Sequence, residues 1–305
     1  MVKNKSIDLT PFRHLYPFES HFVDVNGFRY HYVDEGAGSP VIMVHGNPTW
    51  SFYYRRLIQD LAPHFRAIAV DHIGCGLSDK PTVEQYDYTL DRRINDLERF
   101  ISRLELREKI SLVVHDWGGM IGIAYALRHL DRIDKIILLN TAGFFPPQAR
   151  PLPLRLKLIR HVKPFAKIAV LGLNVFARSA LFMATAKSLP ADVRSGLVAP
   201  YNCWQNRIAT LRFVEDIPLK PGDPSFETVK TVQNELHRLK GLPMLICWGM
   251  KDFVFTRAYL DEWRRRFPNA RVHAFGDAGH YVLEDAAETV IDRIHKFMLE
   301  DRLID

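Results

Sequence analysis

An α/β fold, with a mostly parallel doubly wound sheet and a helical cap inserted after the sixth strand, is predicted by three features of this sequence. An alternating hairpin opens the chain, short and nearly all-apolar runs recur with helical patterns between them, and one interval between runs is far too long for a single crossover. Strands buried on both faces of a parallel sheet give runs of that kind. At 305 residues, 47% hydrophobic and 11% aromatic, the chain has enough apolar mass for a large core and an insertion.

The elements follow in order. SHFVDV-NG-FRYHYV (residues 20–33) is two alternating runs joined by Asn26-Gly27, a strong hairpin signal. Then come VIMV (41–44), AIAV (67–70), SLVV (111–114), KIILL (135–139), MLIC (244–247) and VHAF (272–275), each expected to be a strand buried on both faces. More than a hundred residues separate KIILL from MLIC, where about 30 would complete a β-α-β unit. The expected division is a core of residues 1–143 and 241–305 with a helical cap of residues 144–240. Such a cap would cover the carboxyl ends of the strands, where open α/β sheets bind ligands.

Several classes are excluded by composition. The net charge of +6 comes with no nucleic-acid motif, and Cys75, Cys203 and Cys247 lack the spacing of a zinc site or disulfide scaffold. The N-terminus has no apolar signal core, so a reducing, cytoplasmic location is expected, with no cofactor and no metal. The longest apolar stretch, residues 168–186, carries Asn174 and Arg178 and reads as lid helices rather than a membrane span.

The chemistry centres on VVHDWGG (residues 113–119). An apolar run rises into a sharp turn and drops into a small-residue helix, which is the strand, elbow and helix pattern of the α/β-hydrolase fold. The usual elbow is G-x-S-x-G; here Gly118 fills the later slot, Val114 departs from the earlier one, and the apex is Asp116. That apex is expected to be exposed. Asp252 follows MLIC and His280 follows VHAF, so nucleophile, acid and histidine occur in this fold's chain order. Each alone reads as an ordinary loop residue; all three, each after its own strand, read as a catalytic triad.

A rival position for the acid, after KIILL, holds Asn140, which cannot carry the charge that stabilises an imidazolium; Asp252 takes the role by elimination. Glu284 and Asp285 are expected to cap the helix that follows. HGNP (residues 45–48) follows VIMV, where this fold supplies one backbone donor of its oxyanion hole, Trp117 N–H being the other. The Asn47 amide and the Trp117 indole are further donors, suited together to one anionic atom. A carboxylate nucleophile suits attack at a carbon bearing a halide, epoxide or strained-ring oxygen, because it leaves an ester that activated water can open, whereas serine would leave an ether.

HGNPTWSFYYR, DHIGCGLSDKP and HDWGGMIG resemble the haloalkane dehalogenase superfamily. YDYTL (86–90), LLNTAGF (138–144), APYNCWQNRIATLRFVEDIPL (199–219) and GHYVLED (279–285) extend the resemblance, cap included, to the β-lactone decarboxylases of olefin biosynthesis, whose substrate is a cis-3-alkyl-4-alkyloxetan-2-one. That resemblance implies an aspartate, histidine and late aspartate catalytic set, here Asp116, His280 and Asp252, with Asn47 and Trp117 stabilising the anion. It also implies a complex with a β-lactone synthetase and other enzymes of that pathway. Attack at the lactone carbonyl and at the ring carbon both remain open. A haloalkane dehalogenase using the same five residues is the alternative reading, and a binding protein without turnover is a third, opposed by the complete triad.

From Lys135 to Ala191 there is no Asp or Glu, while Lys135, Arg150, Arg155, Lys157, Arg160, Lys163, Lys167, Arg178 and Lys187 fall inside. The choice is between a solvated cationic face and a surface that docks on anionic lipid or a partner enzyme. Apolar cap residues, among them Leu154, Leu158, Val162, Phe165, Ile168, Leu171, Val175, Phe176, Leu181, Phe182 and Met183, are candidates to line a groove for long alkyl arms or to be packed core.

Overall fold

The computed structural model describes residues 7–147 and 154–300. Its eight strands form one sheet in the order β1-β2-β4-β3-β5-β6-β7-β8. β1 (His21–Val25) and β2 (Phe28–Glu35) are the hairpin, turned at Asn26 and Gly27 with φ of 56° and 83°. A two-residue turn that follows the sheet's twist needs both residues in that region, which this pair tolerates. β2 runs antiparallel to β4 (Arg66–Val70), while β3 (Pro40–Val44), β4, β5 (Ile110–Asp116), β6 (Ile133–Thr141), β7 (Met244–Gly249) and β8 (Arg271–Phe275) are mutually parallel.

Helices α1 (Arg55–Leu61), α2 (Leu90–Arg103) and α3 (Trp117–Arg128) precede β6. Between β6 and β7 lie α4 (Leu154–His161), α5 (Lys163–Ala166), a π-helical turn (Lys167–Gly172), α6 (Val175–Met183), α7 (Ala191–Val198), α8 (Ile208–Glu215) and α9 (Phe226–Glu235). α10 (Arg257–Arg266), α11 (Val282–Asp285) and α12 (Ala287–Leu299) follow β7 among the described residues.

Both sheet faces are covered because successive strand residues point to opposite sides. On β3, Ile42 and Val44 join a core with α2, α3, α9 and α10, whereas Val41 and Met43 join a second core with α1 and α12. α2 shows how local sequence sets this up. Leu90, Ile94, Leu97 and Ile101 form its buried stripe, Thr89 caps it by accepting from Arg92 N, and Asp91 and Arg103 suit its two ends.

Two expectations are corrected here. VHAF is not buried on both faces: β8 is the outer strand, paired only with β7, and Arg271 and Ala274 are exposed. Nor do the nine basic residues share one face. Lys135 is buried on β6 against the Phe297 ring, Arg160 pairs with Asp223 at 2.7 Å, and Lys187 donates to the Asp285 carbonyl at 2.7 Å. Arg150 and the Arg155 side chain lie outside the described residues.

Among the described residues no single helix is long and apolar enough to cross a membrane; Lys163–Gly172 and Val175–Met183 have the composition as a pair but meet at 73°. The bend falls at Asn174, left-handed with φ 56°, whose side-chain amide is tied to the Tyr201 carbonyl at 3.1 Å.

Candidate active site

β5 is buried along its length and ends at Asp116, whose φ of 52° and ψ of −126° turn the chain directly into α3. A non-glycine residue held there costs about 1–3 kcal/mol and persists only where its surroundings impose it. Thr141 Oγ1 donates to the Asp116 carbonyl at 2.5 Å, and Asn47 N–H donates to the Asp116 carboxylate at 2.6 Å. The glycines answer to close approach: a Cβ on Gly118 would lie 1.9 Å from the Val44 carbonyl oxygen, and one on Gly119 would lie 1.7 Å from Thr141 Oγ1. The departure at Val114 is compensated across the turn, because a Cβ on Gly122 would lie 2.6 Å from a Val114 methyl. The space that the usual glycine leaves on the strand is left here by the helix.

Asp116 is 8% exposed, so the expectation of an exposed apex was wrong. Residues between β6 and β7 reach over the elbow: Ala184, Val214 and Ile217 line one cavity with Asp116. Burial raises the Asp116 pKa, opposed by the neighbouring His280 and by the backbone N–H groups of Asn47 and Trp117. The Asn47 and Trp117 N–H groups, expected as oxyanion-hole donors, therefore hold the Asp116 carboxylate itself.

His280 stands between two carboxylates. Its Nδ1 donates to Asp252 Oδ2 at 2.7 Å, and its Nε2 lies 3.6 Å from Asp116 Oδ2. Burial depresses the imidazolium, yet Asp252 and Asp116 together outweigh it, and the pKa of His280 is raised. Asp252 is itself fixed: Val254 and Phe255 N–H donate to Oδ1 at 2.7 and 3.1 Å, and Asn140 donates to Oδ2 at 2.9 Å. An imidazolium aimed at a buried carboxylate, with its other nitrogen locked, can steady that carboxylate or, once neutral, accept a proton from water.

Asn47 and Trp117 both line the cavity beside Asp116. One amide hydrogen of Asn47 goes to the Thr210 carbonyl at 3.1 Å on α8, which leaves the other for a ligand. Gly46 is a glycine because a Cβ there would lie 2.0 Å from the Asp116 carboxylate, and the buried His45 stiffens the loop by donating to the Gly46 carbonyl at 2.7 Å. The cavity measures about 900 Å³, near the upper end of the ~300–1,000 Å³ usual for small-molecule sites. Its wall is apolar apart from the groups around Asp116 and a few hydroxyls. Leu154, Leu158, Phe165, Val175, Phe176 and Met183 line it; Leu171 and Leu181 are packed core instead, and Val162, Ile168 and Phe182 are exposed away from it.

Sequence reasoning missed three supports. Asn140, discarded as an acid, binds Asp252 and also bridges to β7, accepting from Gly249 N at 2.7 Å. Thr141, next to it, holds the elbow. His115 lies beneath His280 with ring centres 4.5 Å apart and donates to the His280 carbonyl at 3.0 Å; burial first, and the charge of His280 second, keep it neutral. The available signal was LLNT, a polar pair closing a buried strand. Glu284 and Asp285 do not cap the following helix. Glu284 pairs with buried Arg55 at 2.6 Å, and Asp285 accepts from Gly279, Ala186 and Lys187 N–H, pinning the His280 loop to the inserted segment. Among the described residues no group of three or more His, Cys, Asp or Glu could hold a metal ion.

Comparison with known proteins places this geometry. Residues 39–287 match the model of the alpha/beta hydrolase fold family. A cis-3-alkyl-4-alkyloxetan-2-one decarboxylase of Shewanella oneidensis is 49% identical over 94% of this chain and 90% of its own, and one of Xanthomonas campestris is 40% identical over 93% and 97%. Haloalkane dehalogenase 2 of Mycobacterium tuberculosis is 34% identical over 93% of this chain and 96% of its own. Among solved structures, a variant haloalkane dehalogenase of Agrobacterium tumefaciens superposes with a TM-score of 0.81 at 26% identity, covering 92% of this chain and 96% of that one.

Proposed function

This chain belongs to the α/β-hydrolase fold family, and we propose that within it the chain converts a cis-3-alkyl-4-alkyloxetan-2-one into a cis-alkene and carbon dioxide, in long-chain olefin biosynthesis. The observation that carries this reading is a buried carboxylate, Asp116, opening onto an apolar cavity of about 900 Å³. A substrate with two alkyl arms needs apolar wall on both sides of the reacting atom, and each buried methylene contributes about 0.8 kcal/mol to holding it.

In this proposal Asp116 attacks the ring carbon that carries the ring oxygen. That bond breaks, strain is released, and the ring oxygen departs as part of a carboxylate, its charge met by Asn47 and Trp117. The substrate is then an ester of Asp116 bearing a carboxylate on the adjacent carbon. Loss of carbon dioxide sends its bonding pair into the new double bond and returns the oxygen to Asp116. Atoms and electrons balance without water. Inversion at the attacked carbon followed by anti departure leaves both alkyl arms on one side, which gives the cis-alkene. Attack at the carbonyl would instead give a mixed anhydride and an alkoxide, a poor leaving group for alkene formation. His280, its pKa raised between Asp252 and Asp116, stabilises Asp116 as nucleophile and again as leaving group. We place the reaction in the cytoplasm, without a cofactor, with the lactone supplied by a β-lactone synthetase.

A second reading, hydrolytic dehalogenation, is favoured by one observation: Nε2 of His280 lies 3.6 Å from Asp116, within reach of a water attacking an Asp116 ester. Product analysis separates the two. A synthetic long-chain cis-β-lactone should yield cis-alkene and carbon dioxide, and a 1-haloalkane little halide; rapid halide release with no alkene would replace the first reading by the second.

A further inference from the structure

Eight of the thirteen large apolar side chains that are exposed across the described residues fall between Leu154 and Phe182, on α4, α5, the π-helical turn, α6 and the junctions between them. Scattered exposed apolar residues need no explanation, but a concentration of them does. Ile168, Leu173 and Phe182 are 61%, 63% and 67% exposed and point away from the cavity. Leu158, Phe165 and Val175 are exposed and also line it, so the surface patch and the cavity wall are continuous. The charge in the same segment has one sign. Lys157, Lys163, Lys167 and Arg178 are exposed and make no ion pair among the described residues, and no Asp or Glu occurs between positions 135 and 191.

We propose that this face docks on the surface of an anionic phospholipid bilayer, so that the cavity draws its substrate from lipid and returns its product there. Apolar side chains flanked by unpaired cations match the two layers of such a surface, acyl chains below and anionic headgroups above. The 73° bend between Lys163–Gly172 and Val175–Met183 makes the pair lie along the interface rather than cross it. The role of the cavity rests on the proposed function, since a lactone with two long arms partitions into lipid; the docking itself does not.

Flotation of the full-length protein with vesicles of phosphatidylcholine, with and without phosphatidylglycerol, tests it. Binding should require phosphatidylglycerol and weaken with added salt. The variants Ile168→Ser/Leu173→Ser/Phe182→Ser and Lys157→Gln/Lys163→Gln/Lys167→Gln/Arg178→Gln should each lose at least about tenfold in partitioning, as expected when several anchoring groups go at once. None of these seven residues lines the cavity, so turnover of a short-chain cis-β-lactone in solution should be unchanged in both. A wild-type protein that stays unbound at low salt overturns the proposal. Concentration-dependent dimers abolished by the Ser variant would assign the patch to a second copy, and capture by a β-lactone synthetase in lipid-free solution would assign it to a protein; either outcome without vesicle binding also overturns it. Vesicle binding with no alkene from any lactone would instead sink the proposed reaction and leave the docking standing.

Discussion

Asn140 donates its side-chain amide to Asp252 Oδ2 at 2.9 Å, the same oxygen that receives His280 Nδ1 at 2.7 Å. Asn140, close to the end of β6, is therefore linked to His280 through Asp252. Asp252→Asn should remove the charge that holds the His280 pKa up and cost about 10³–10⁴ in kcat, as for a triad acid made neutral. Asn140→Ala should cost less, because Asp252 keeps its charge and its two backbone donors. An unchanged His280 titration in Asp252→Asn would show that Asp116 alone raises it.

Asp116 is buried with its pKa raised and its backbone in the left-handed region, so the folded protein holds it against its preference. The sign follows. The folded state keeps a proton at pH values where the unfolded chain has released it, so this group lowers stability as pH rises from about 3.8 through its raised value. Asp116→Asn keeps the acceptor for Asn47 N–H and tolerates the turn. It should be inactive, yet no less stable than the wild type near neutral pH, because a neutral amide escapes the burial penalty that raises the carboxylate pKa. A clearly lower melting temperature would contradict the claim that the buried charge is a net cost.

His280 carries the opposite sign. Its raised folded pKa contributes stability that is fully present below about 6.5 and is lost as pH rises through the raised value. A melting-temperature profile of the wild type should show that fall, and His280→Gln should flatten it. An equal fall in both proteins would assign it to another group.

The two chemistries separate at His280 and at water. With the lactone, Asp116 leaves by its own bond cleavage, so His280→Gln should slow alkene formation by about 10²–10⁴ without trapping an adduct. With a 1-haloalkane the same variant should stop after one halide per chain, with the alkyl group on Asp116 found by mass spectrometry. After many wild-type turnovers of lactone in ¹⁸O-water, the Asp116 peptide should carry no label. Labelled Asp116 would mean that water opens an Asp116 ester or anhydride during turnover.

The succession of strands along the chain, the elbow and the positions of Asp116, Asp252 and His280 were legible because each is written locally, as an apolar run followed by a polar loop. What was not legible depends on contacts made across the fold. Val114 looked like a broken motif until Gly122, eight positions on, proved to leave the missing space. Asp285 looked like a cap because its neighbours in sequence are helical, whereas its partners Ala186 and Lys187 are about a hundred residues away. Lys135 looked like surface charge, although its stem is buried on β6 and its tip reaches the Phe297 carbonyl at 3.4 Å. Burial of the elbow itself is set by the inserted residues, whose docking no local pattern encodes.

The cavity makes a prediction about arm length. Each further methylene buried contributes about 0.8 kcal/mol, close to fourfold in kcat/KM, until the wall is reached. Wild-type kcat/KM should therefore climb steeply across a series of cis-β-lactones and then level off. Ala180 on α6 and Ala142 after β6 both line the cavity with small side chains. Ala180→Phe fills space that an arm would occupy and touches neither Asp116, His280 nor Asp252 in any hydrogen bond. The plateau should then come several methylenes earlier, with the shortest lactones turned over as in the wild type. A plateau that stays where it was, in both Ala180→Phe and Ala142→Phe, would mean that the arms lie elsewhere, and that this cavity does not measure the substrate.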